Sequence, residues 1–268
     1  MIRDITIGQY VCGSSVLHRL DPRTKILSTV SYIFALFLID SLWCYVLNFS
    51  LILIFYLLCG ISLKMALNNV KPILPILILT SIINLCVIRD GEVVFSFWIF
   101  SLTDRSIFFT ITIFFRIILL IFSSSLLTYT TLPTDLTRGI EKMIKPLAKI
   151  RFPVEEISMM ISIALRFIPT LVLEADKIIC AQKSRGLDLE TGSFIKRAKC
   201  MVPILIPLFV CAFKRADELA VAMESRCYRV GGQRTSYKTL SFKKLDIFFA
   251  VGFLAVLIMV LMINAFFR

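Results

Sequence analysis

The sequence predicts an all-α, polytopic membrane protein with about five transmembrane helices and long amphipathic helices on the cytoplasmic side. Three observations support this fold class. Hydrophobic residues make up 58% of the 268 residues and the mean hydropathy is +0.86, whereas an ordinary soluble domain holds roughly 45–50% apolar residues even when glycine is counted. Long apolar runs alternate with a strongly charged segment, and that segment keeps the apolar spacing of helices. A disordered chain and an ordinary soluble domain are therefore excluded.

Charge is concentrated in the segment 134–244, which holds 20 of the 30 Lys and Arg residues and 11 of the 18 Asp and Glu residues. This segment therefore carries +9 of the formal net charge of +12. We divide the chain into a membrane domain (1–133), a charged cytoplasmic domain (134–244) and a C-terminal transmembrane helix (245–268). Because His18 is the single histidine and no C-x-x-C pair is present, we expect no metal site.

Five apolar runs are candidates for membrane spans. Between residues 26 and 63 only Asp40 is charged, and this length is about enough for two crossings of roughly 17–25 residues joined by a turn. Basic residues flank this helical hairpin at both ends while the turn carries only an acid, so the positive-inside rule places the N-terminus in the cytoplasm. The predicted spans are 26–39, 42–62, 72–88, 106–128 and 247–267.

The segment between the third and fourth spans, Glu92–Asp104, is rich in Val, Phe and Trp and follows the turn signal Asp90-Gly91. We expect a short outer hairpin or an interfacial loop there. Trp98 is then expected in the aromatic belt at the membrane surface, which is the ordinary place for a tryptophan.

Arg116 lies some ten residues into the fourth predicted span, and an ionisable group at that depth is by default a functional candidate. The ordinary alternative, which we favour, is that the side chain faces the helix bundle and bonds polar side chains or water there. Together with Asn84, Arg116 is the only hint of a polar site near the middle of the membrane.

The charged domain keeps apolar residues at every third or fourth position, which is the spacing of one helix face. One stripe covers 157–178 and another covers 202–222. We expect a continuous helix from Val154 to Ser184, bent at Pro169. Long amphipathic helices of a membrane protein lie at the interface or bind partner proteins.

A competing topology passes 157–173 and 200–213 through the bilayer. The second segment is shorter than a span, and Arg166 interrupts the first. We therefore favour the topology with both helices outside the bilayer.

The two long helices end in a matched pattern. Three elements of the first end, Ala175-Asp176, Ala181 and Ser184-Arg185, recur at one constant offset as Ala216-Asp217, Ala222 and Ser225-Arg226. In each copy the arginine lies one turn after a small alanine on the same helix face. A single arginine at a helix C-terminus merely complements the helix dipole, an effect of about 0.3–1 kcal/mol. Two matched copies instead favour two similar binding events, and the simplest receiver is a pair of similar partner subunits.

The residue after each arginine differs between the two copies. Gly186 can adopt the left-handed conformation that ends a helix. Cys227 occupies the equivalent position, so we expect the second helix to end in a different way.

A family resemblance emerges from motifs spread along nearly the whole chain. The chain resembles the transmembrane T component of energy-coupling factor transporters. The motifs that carry the resemblance are Leu17–Lys25, Ile161–Thr170, Ser184-Arg185-Gly186, Arg215–Ala220 and Ser225-Arg226-Cys227.

The resemblance implies a non-catalytic scaffold that joins two ATP-binding-cassette (ABC) ATPases to a small substrate-binding membrane protein, the S component. It makes 134–244 the coupling-helix domain of an importer of vitamins or other micronutrients. Two short motifs, usually Ala-Arg-Gly, end the coupling helices of that family and place their arginines in the ATPases. Carried over by position, these arginines are Arg185 and Arg226, with Ser in place of Ala in both motifs and Cys227 in place of the second Gly.

A second surface is expected on the apolar stripes. Met159, Met160, Met201 and Phe209 are candidates for contact with the S component, since methionine packs adaptably against different partners. Packing of the two helices on each other is an equally good explanation of these residues.

Two other functions are weighed against the scaffold. A permease that holds and moves a solute itself needs a polar site in the membrane, for which Arg116 and Asn84 are the only hints. An intramembrane enzyme needs a nucleophile with a nearby base or a His/Glu/Cys cluster, and the sequence shows neither. The sequence also lacks a Walker phosphate-binding loop. ATP must therefore be bound and hydrolysed by partners, and we expect no cofactor on this chain.

Overall fold

A computed structural model describes residues 10, 11, 13, 15–87, 93–97, 100–146, 153–187, 193–229 and 241–266 of the chain. These residues form ten helices and one two-stranded antiparallel sheet. The helices are α1 (Val16–Arg19), α2 (Pro22–Leu38), α3 (Leu42–Cys59), α4 (Leu63–Val70), α5 (Leu74–Val87), α6 (Asp104–Thr130), α7 (Pro133–Ile144), α8 (Val154–Ser184), α9 (Phe194–Glu224) and α10 (Lys244–Phe266).

The sheet is a hairpin between α5 and α6. Strand β1 (Val93–Phe97) pairs with β2 (Phe100–Thr103), with Phe97 opposite Phe100. Of the two structures expected here, the hairpin is the one that forms. The predicted turn at Asp90-Gly91 and the predicted interfacial position of Trp98 lie outside the described residues.

Four described helices, α3, α6, α8 and α10, are long and apolar enough to cross a membrane. Helices α4 and α5 form a bent pair that would make a fifth span. The predicted class, an all-α polytopic membrane protein, is confirmed. The predicted span 72–88 corresponds to α5, and the chain bends by 56° between α4 and α5, where Pro72 lacks the backbone N–H that a continuous helix needs.

Helix α8 meets the same criterion of length and composition, although we predict it outside the bilayer. Only 6% of its most apolar window is buried within the chain, against 33% for α3. Few of its apolar side chains are fully buried by the described chain, and the exposed ones, such as Met160, Ile161 and Leu173, are available to lipid or to a partner protein. The cytoplasmic location of 134–244 stays a prediction.

The described residues fall into two compact units. We call the residues up to Gly139 and from Ser241 onward the bundle unit, and those from Ile140 to Arg229 the two-helix unit. In the bundle unit, α6 packs against α2, α3, α4 and α5, while α10 packs against α2 and α3. Its core holds the fully buried side chains of Leu36, Tyr45, Tyr56 and Leu119.

The two-helix unit is built on α8 and α9, which contact each other and have 31 residues each. The predicted bounds of α8 are confirmed, and the helix runs unbroken through Pro169. Helix α9 likewise contains Pro203 and Pro207.

Candidate functional site: two matched helix ends

Helix α8 ends in a Schellman motif, in which a left-handed residue turns the chain so that two N–H groups bond back to the last turn. The N–H of Gly186 donates to the carbonyl of Lys183 at 3.0 Å, and the N–H of Leu187 donates to that of Gln182 at 3.0 Å. Gly186 has the left-handed φ of +87° that we predict for it. Arg185 directly precedes this residue and is the C-cap, at the tip of the helix.

Helix α9 ends in the same hydrogen-bond pattern at the equivalent residues. The N–H of Cys227 donates to the carbonyl of Glu224 at 2.9 Å, and the N–H of Tyr228 donates to that of Met223 at 3.0 Å. Cys227 has a left-handed φ of +57°. Our expectation that this helix ends differently is therefore wrong.

The left-handed backbone at Cys227 is unfavourable by about 1–2 kcal/mol, because the Cβ atom lies too close to the following carbonyl oxygen. Two hydrogen bonds of the cap fix the conformation nevertheless. Arg226 consequently lies directly before a left-handed residue, as Arg185 does, and the two helix tips make equivalent backbone hydrogen bonds.

Both arginines are exposed. Among the described residues, neither guanidinium group makes a hydrogen bond or an ion pair within the chain. Ala181 and Ala222, one turn earlier on the same faces, are also exposed and leave room for a surface to approach. Each tip thus presents a cation beside a small residue, with no internal partner in the described part of the chain.

The serine before each arginine bonds to its own helix. Ser184 Oγ donates to the carbonyl of Cys180 at 3.1 Å, and Ser225 Oγ donates to that of Ala222 at 3.0 Å. Both hydroxyl groups are satisfied locally, so serine adds little to the surface beyond what alanine would present.

The four residues predicted to contact an S component all lie on α8 and α9. Met160, Met201 and Phe209 are 59%, 59% and 61% exposed, while Met159 is half-buried. Three of the four therefore stand on the surface of the two-helix unit. Their contact with a partner stays a prediction.

Arg116 belongs to the architecture of the bundle unit. Its Nε donates to the hydroxyl of Tyr45 at 2.9 Å, and its Nη2 donates to the carbonyl of Ile39 at 2.8 Å. The Tyr45 hydroxyl donates to the same carbonyl at 2.7 Å. The interpretation that Arg116 faces the bundle and bonds polar groups is confirmed, and its role is to hold the turn between α2 and α3.

Asn264 of α10 holds the same turn from the other side. Its Oδ1 accepts from the backbone N–H groups of Asp40 and Ser41, both at 3.1 Å, and its Nδ2 donates to the carbonyl of Leu38 at 3.0 Å. Sequence reasoning missed this residue because nothing in an apolar helix indicates which distant turn an asparagine will reach.

The Leu17–Lys25 motif joins three elements at the other end of the bundle unit. Asp246, only 1% exposed, accepts from the backbone N–H of Asp21 through Oδ1 and from that of Lys243 through Oδ2, both at 2.7 Å. Lys25 Nζ donates to the carbonyl of Thr130 at 2.8 Å. The motif thus ties the start of α2 to the start of α10 and the end of α6.

Comparison with known proteins agrees with this architecture. The family model described as cobalt transport protein, CbiQ, matches residues 13–237. The chain is 51% identical to a protein of Ruminiclostridium cellulolyticum over 247 residues, which is 92% of either chain. It is 46% identical to one of Thermosediminibacter oceani over 257 residues, covering 95% of this chain and 97% of that one.

A protein of Lactococcus lactis is 40% identical over 261 residues, covering 97% of this chain and 98% of that one. All three relatives are named energy-coupling factor transporter transmembrane protein EcfT. Because the family model and the relatives match nearly the whole chain, the chain belongs to the EcfT family of multi-pass transmembrane components of energy-coupling factor transporters.

Proposed function

We propose that this chain is the non-catalytic scaffold of an ATP-driven importer, linking two ABC ATPase subunits to an S component. It transmits ATP-driven motion for the uptake of vitamins or other micronutrients. The observation that carries the proposal is the pair of exposed arginines on equivalent caps, Arg185 and Arg226, without internal partners in the described chain.

Each helix tip fits one ATPase. An exposed ion pair contributes at most about 1 kcal/mol, whereas a guanidinium bound bidentately to a carboxylate in a desolvated groove is a strong, directional contact. The proposed ATPase interface comprises Ala181, Ser184, Arg185, Gly186, Ala222, Ser225, Arg226 and Cys227. If nucleotide binding closes the ATPase pair, the two arginines are drawn together and α8 and α9 carry that displacement.

ATP chemistry belongs to the partners in this proposal. The sequence has no Walker loop, so the partners bind and hydrolyse ATP, and we expect no cofactor on this chain. The S component binds the transported solute and contacts the exposed side chains of Met160, Met201 and Phe209, with Met159 beside them. Basic residues around the first helical hairpin support a cytoplasmic N-terminus and a two-helix unit on the ATP side.

The test is purification and uptake with a double variant. The complex is co-expressed from its native subunits, and Arg185→Ala is combined with Arg226→Ala. We expect the chain to insert normally but to lose the ATPases and at least about 100-fold of the uptake rate, since each anchoring arginine is worth about 2 kcal/mol or more.

The matched control is Lys177→Ala combined with Lys214→Ala. It also removes one exposed cation from each of the two helices, away from the caps. We expect it to keep the ATPases and most of the uptake. If the arginine double variant inserts and still takes up substrate at the normal rate, the proposed function is wrong.

The alternative function is an ABC-type permease with its own solute site. Its main sequence hint, Arg116, is engaged in holding the turn between α2 and α3, which leaves half-buried Asn84 as the remaining hint. The purified complex separates the two functions. Solute transport by a complex that contains no separate small membrane protein would favour the permease.

A further inference from the structure

One ion pair joins the two long helices of the two-helix unit. Arg215 Nη2 on α9 donates to Glu174 Oε1 on α8 at 2.7 Å. The side chains are 31% and 26% exposed, so the pair is partly shielded from water. A charge-assisted hydrogen bond of this length is stronger than a neutral one.

The pair sits at equivalent positions of the repeat. Glu174 and Arg215 are 41 positions apart in the chain, which is also the offset between Arg185 and Arg226. Each member of the pair therefore lies equally far before the arginine of its own helix. At about 1.5 Å per residue, each arginine is roughly 16 Å along the helix from the pair. The contact thus divides α8 and α9 so that the two terminal arms, 175–185 and 216–226, have equal length.

Both arms are uninterrupted helix up to their caps. Neither 175–185 nor 216–226 contains a glycine or a proline. The three prolines of these helices, Pro169, Pro203 and Pro207, all lie on the other side of the pair. The bends that proline permits are thus confined to the parts of the helices remote from the tips.

The number of residues between the end of α8 and the start of α9 shows that the two arms do not run side by side. If α8 and α9 were parallel at this contact, the end of α8 and the start of α9 would be about 46 Å apart along the axis. The ten backbone steps from Ser184 to Phe194 span at most about 36 Å. The two helices are therefore not parallel where they meet, and their arms diverge from the pair.

We propose that the Glu174–Arg215 pair is the fulcrum of the two arms, a pair of positioning residues that fixes the point at which α8 and α9 meet. The inference rests on the proposed function, because it assumes that the tips bind the two ATPases. With the meeting point fixed, a displacement of one tip is passed through the pair to the other helix. Without the ion pair, α8 can slide along α9, and a displacement of one tip then does not reach the other helix.

The test separates assembly from coupling. Glu174→Gln and Arg215→Gln are introduced singly into the complete complex, and three quantities are measured: ATPase subunits retained, ATP hydrolysed, and substrate taken up per ATP. We expect retained ATPases and continued hydrolysis, with uptake per ATP lowered about tenfold, the scale set by loss of one charged hydrogen bond.

Two further variants sharpen the test. The exchange Glu174→Arg with Arg215→Glu restores the pair with its charges reversed, and we expect uptake per ATP to return to within about twofold of the native complex. The control is Lys145→Gln with Glu155→Gln, because this pair is also an ion pair of a basic side chain with a glutamate, at 3.5 Å, and is more exposed, with side chains 65% and 39% accessible. We expect no change there.

Three outcomes overturn the inference: unchanged uptake per ATP in both single variants, loss of the ATPases from the single variants, or no recovery in the exchange. Unchanged uptake per ATP would mean that the ion pair has no part in coupling. Loss of the ATPases would mean that the pair is needed for the fold or for assembly. No recovery in the exchange would mean that the loss in the single variants does not come from breaking the ion pair. Failure of the proposed function is seen separately, as uptake that survives in the Arg185 and Arg226 double variant.

Discussion

The tips of α8 and α9 have equivalent backbones and different side chains. The two Schellman hydrogen bonds of one cap have counterparts in the other, and each arginine directly precedes a left-handed residue. That residue is Gly186 in one tip and Cys227 in the other. The charges around the arginines differ more, since Lys177 and Lys183 of the first arm are replaced by Glu218 and Glu224 in the second.

This difference shows which property is the same in both helix ends. The cap is formed even where a side chain makes it costly, so the placement of the arginine is the property that the two copies share. Their surroundings are not shared, because arm 175–185 carries a net charge of +2 and arm 216–226 a net charge of −2. The two tips therefore offer the same anchor with opposite electrostatic surroundings, and we expect them not to be interchangeable.

The largest effect is expected from removing one anchor at a time. Arg185→Ala and Arg226→Ala should each lower uptake at least about tenfold, because a buried guanidinium contact is worth about 2 kcal/mol or more. Uptake rates and ATPase retention are measured for each variant. Equal losses would mean that the two tips work symmetrically, and unequal losses would identify the dominant one. A single variant with normal uptake would show that its tip is not an anchor.

The next effect tests the caps. Gly186→Ala should destabilise the end of α8 by about 1–2 kcal/mol, because alanine must accept the left-handed backbone. Cys227→Gly should stabilise the end of α9, because glycine adopts the left-handed backbone without crowding by a Cβ atom. The gain is limited to about 1 kcal/mol, because glycine loses more conformational entropy on folding than cysteine does. Hydrogen exchange of the last helical turn measures both. Loss of uptake in Cys227→Gly would mean that the thiol has a role beyond the backbone.

A smaller effect is expected from the surrounding charges. Reversing Lys183 to Glu, or Glu224 to Lys, should weaken ATPase retention by about two- to fivefold, since an exposed charge contributes only about 0.2–1 kcal/mol. Retention is compared at low and high salt, because screening should reduce the difference. Salt-independent losses would contradict an electrostatic origin.

The smallest effect is expected at the serines. Ser184→Ala and Ser225→Ala remove hydroxyl groups whose hydrogen bonds, among the described residues, go to their own helices. Stability should change by less than about 0.5 kcal/mol and uptake should stay normal. Thermal unfolding and uptake assays check both. A clear loss of uptake would show that a partner contacts the hydroxyl groups directly.

Local features of this fold were predictable and distant contacts were not. Helical spacing was enough to place α8, and the matched endings identified the two caps because they repeat within short segments. Cys227 was misjudged because propensity favours glycine at a left-handed position, while the surrounding hydrogen bonds decide the outcome. Asp246, Asn264 and the partnership of Arg116 depend on residues far away in sequence, which periodicity does not report.

The two anchors of α10 have a consequence for the order of assembly in the membrane. Asp246 and Asn264 bind backbone groups at Asp21 and at Asp40-Ser41, across sequence separations of 223 to 225 residues. The first helical hairpin is thus synthesised long before α10, whose side chains accept hydrogen bonds from the backbone N–H groups at the start and at the turn of that hairpin. Closure of the bundle unit therefore waits until α10 has been synthesised and its two side chains have reached these backbone groups.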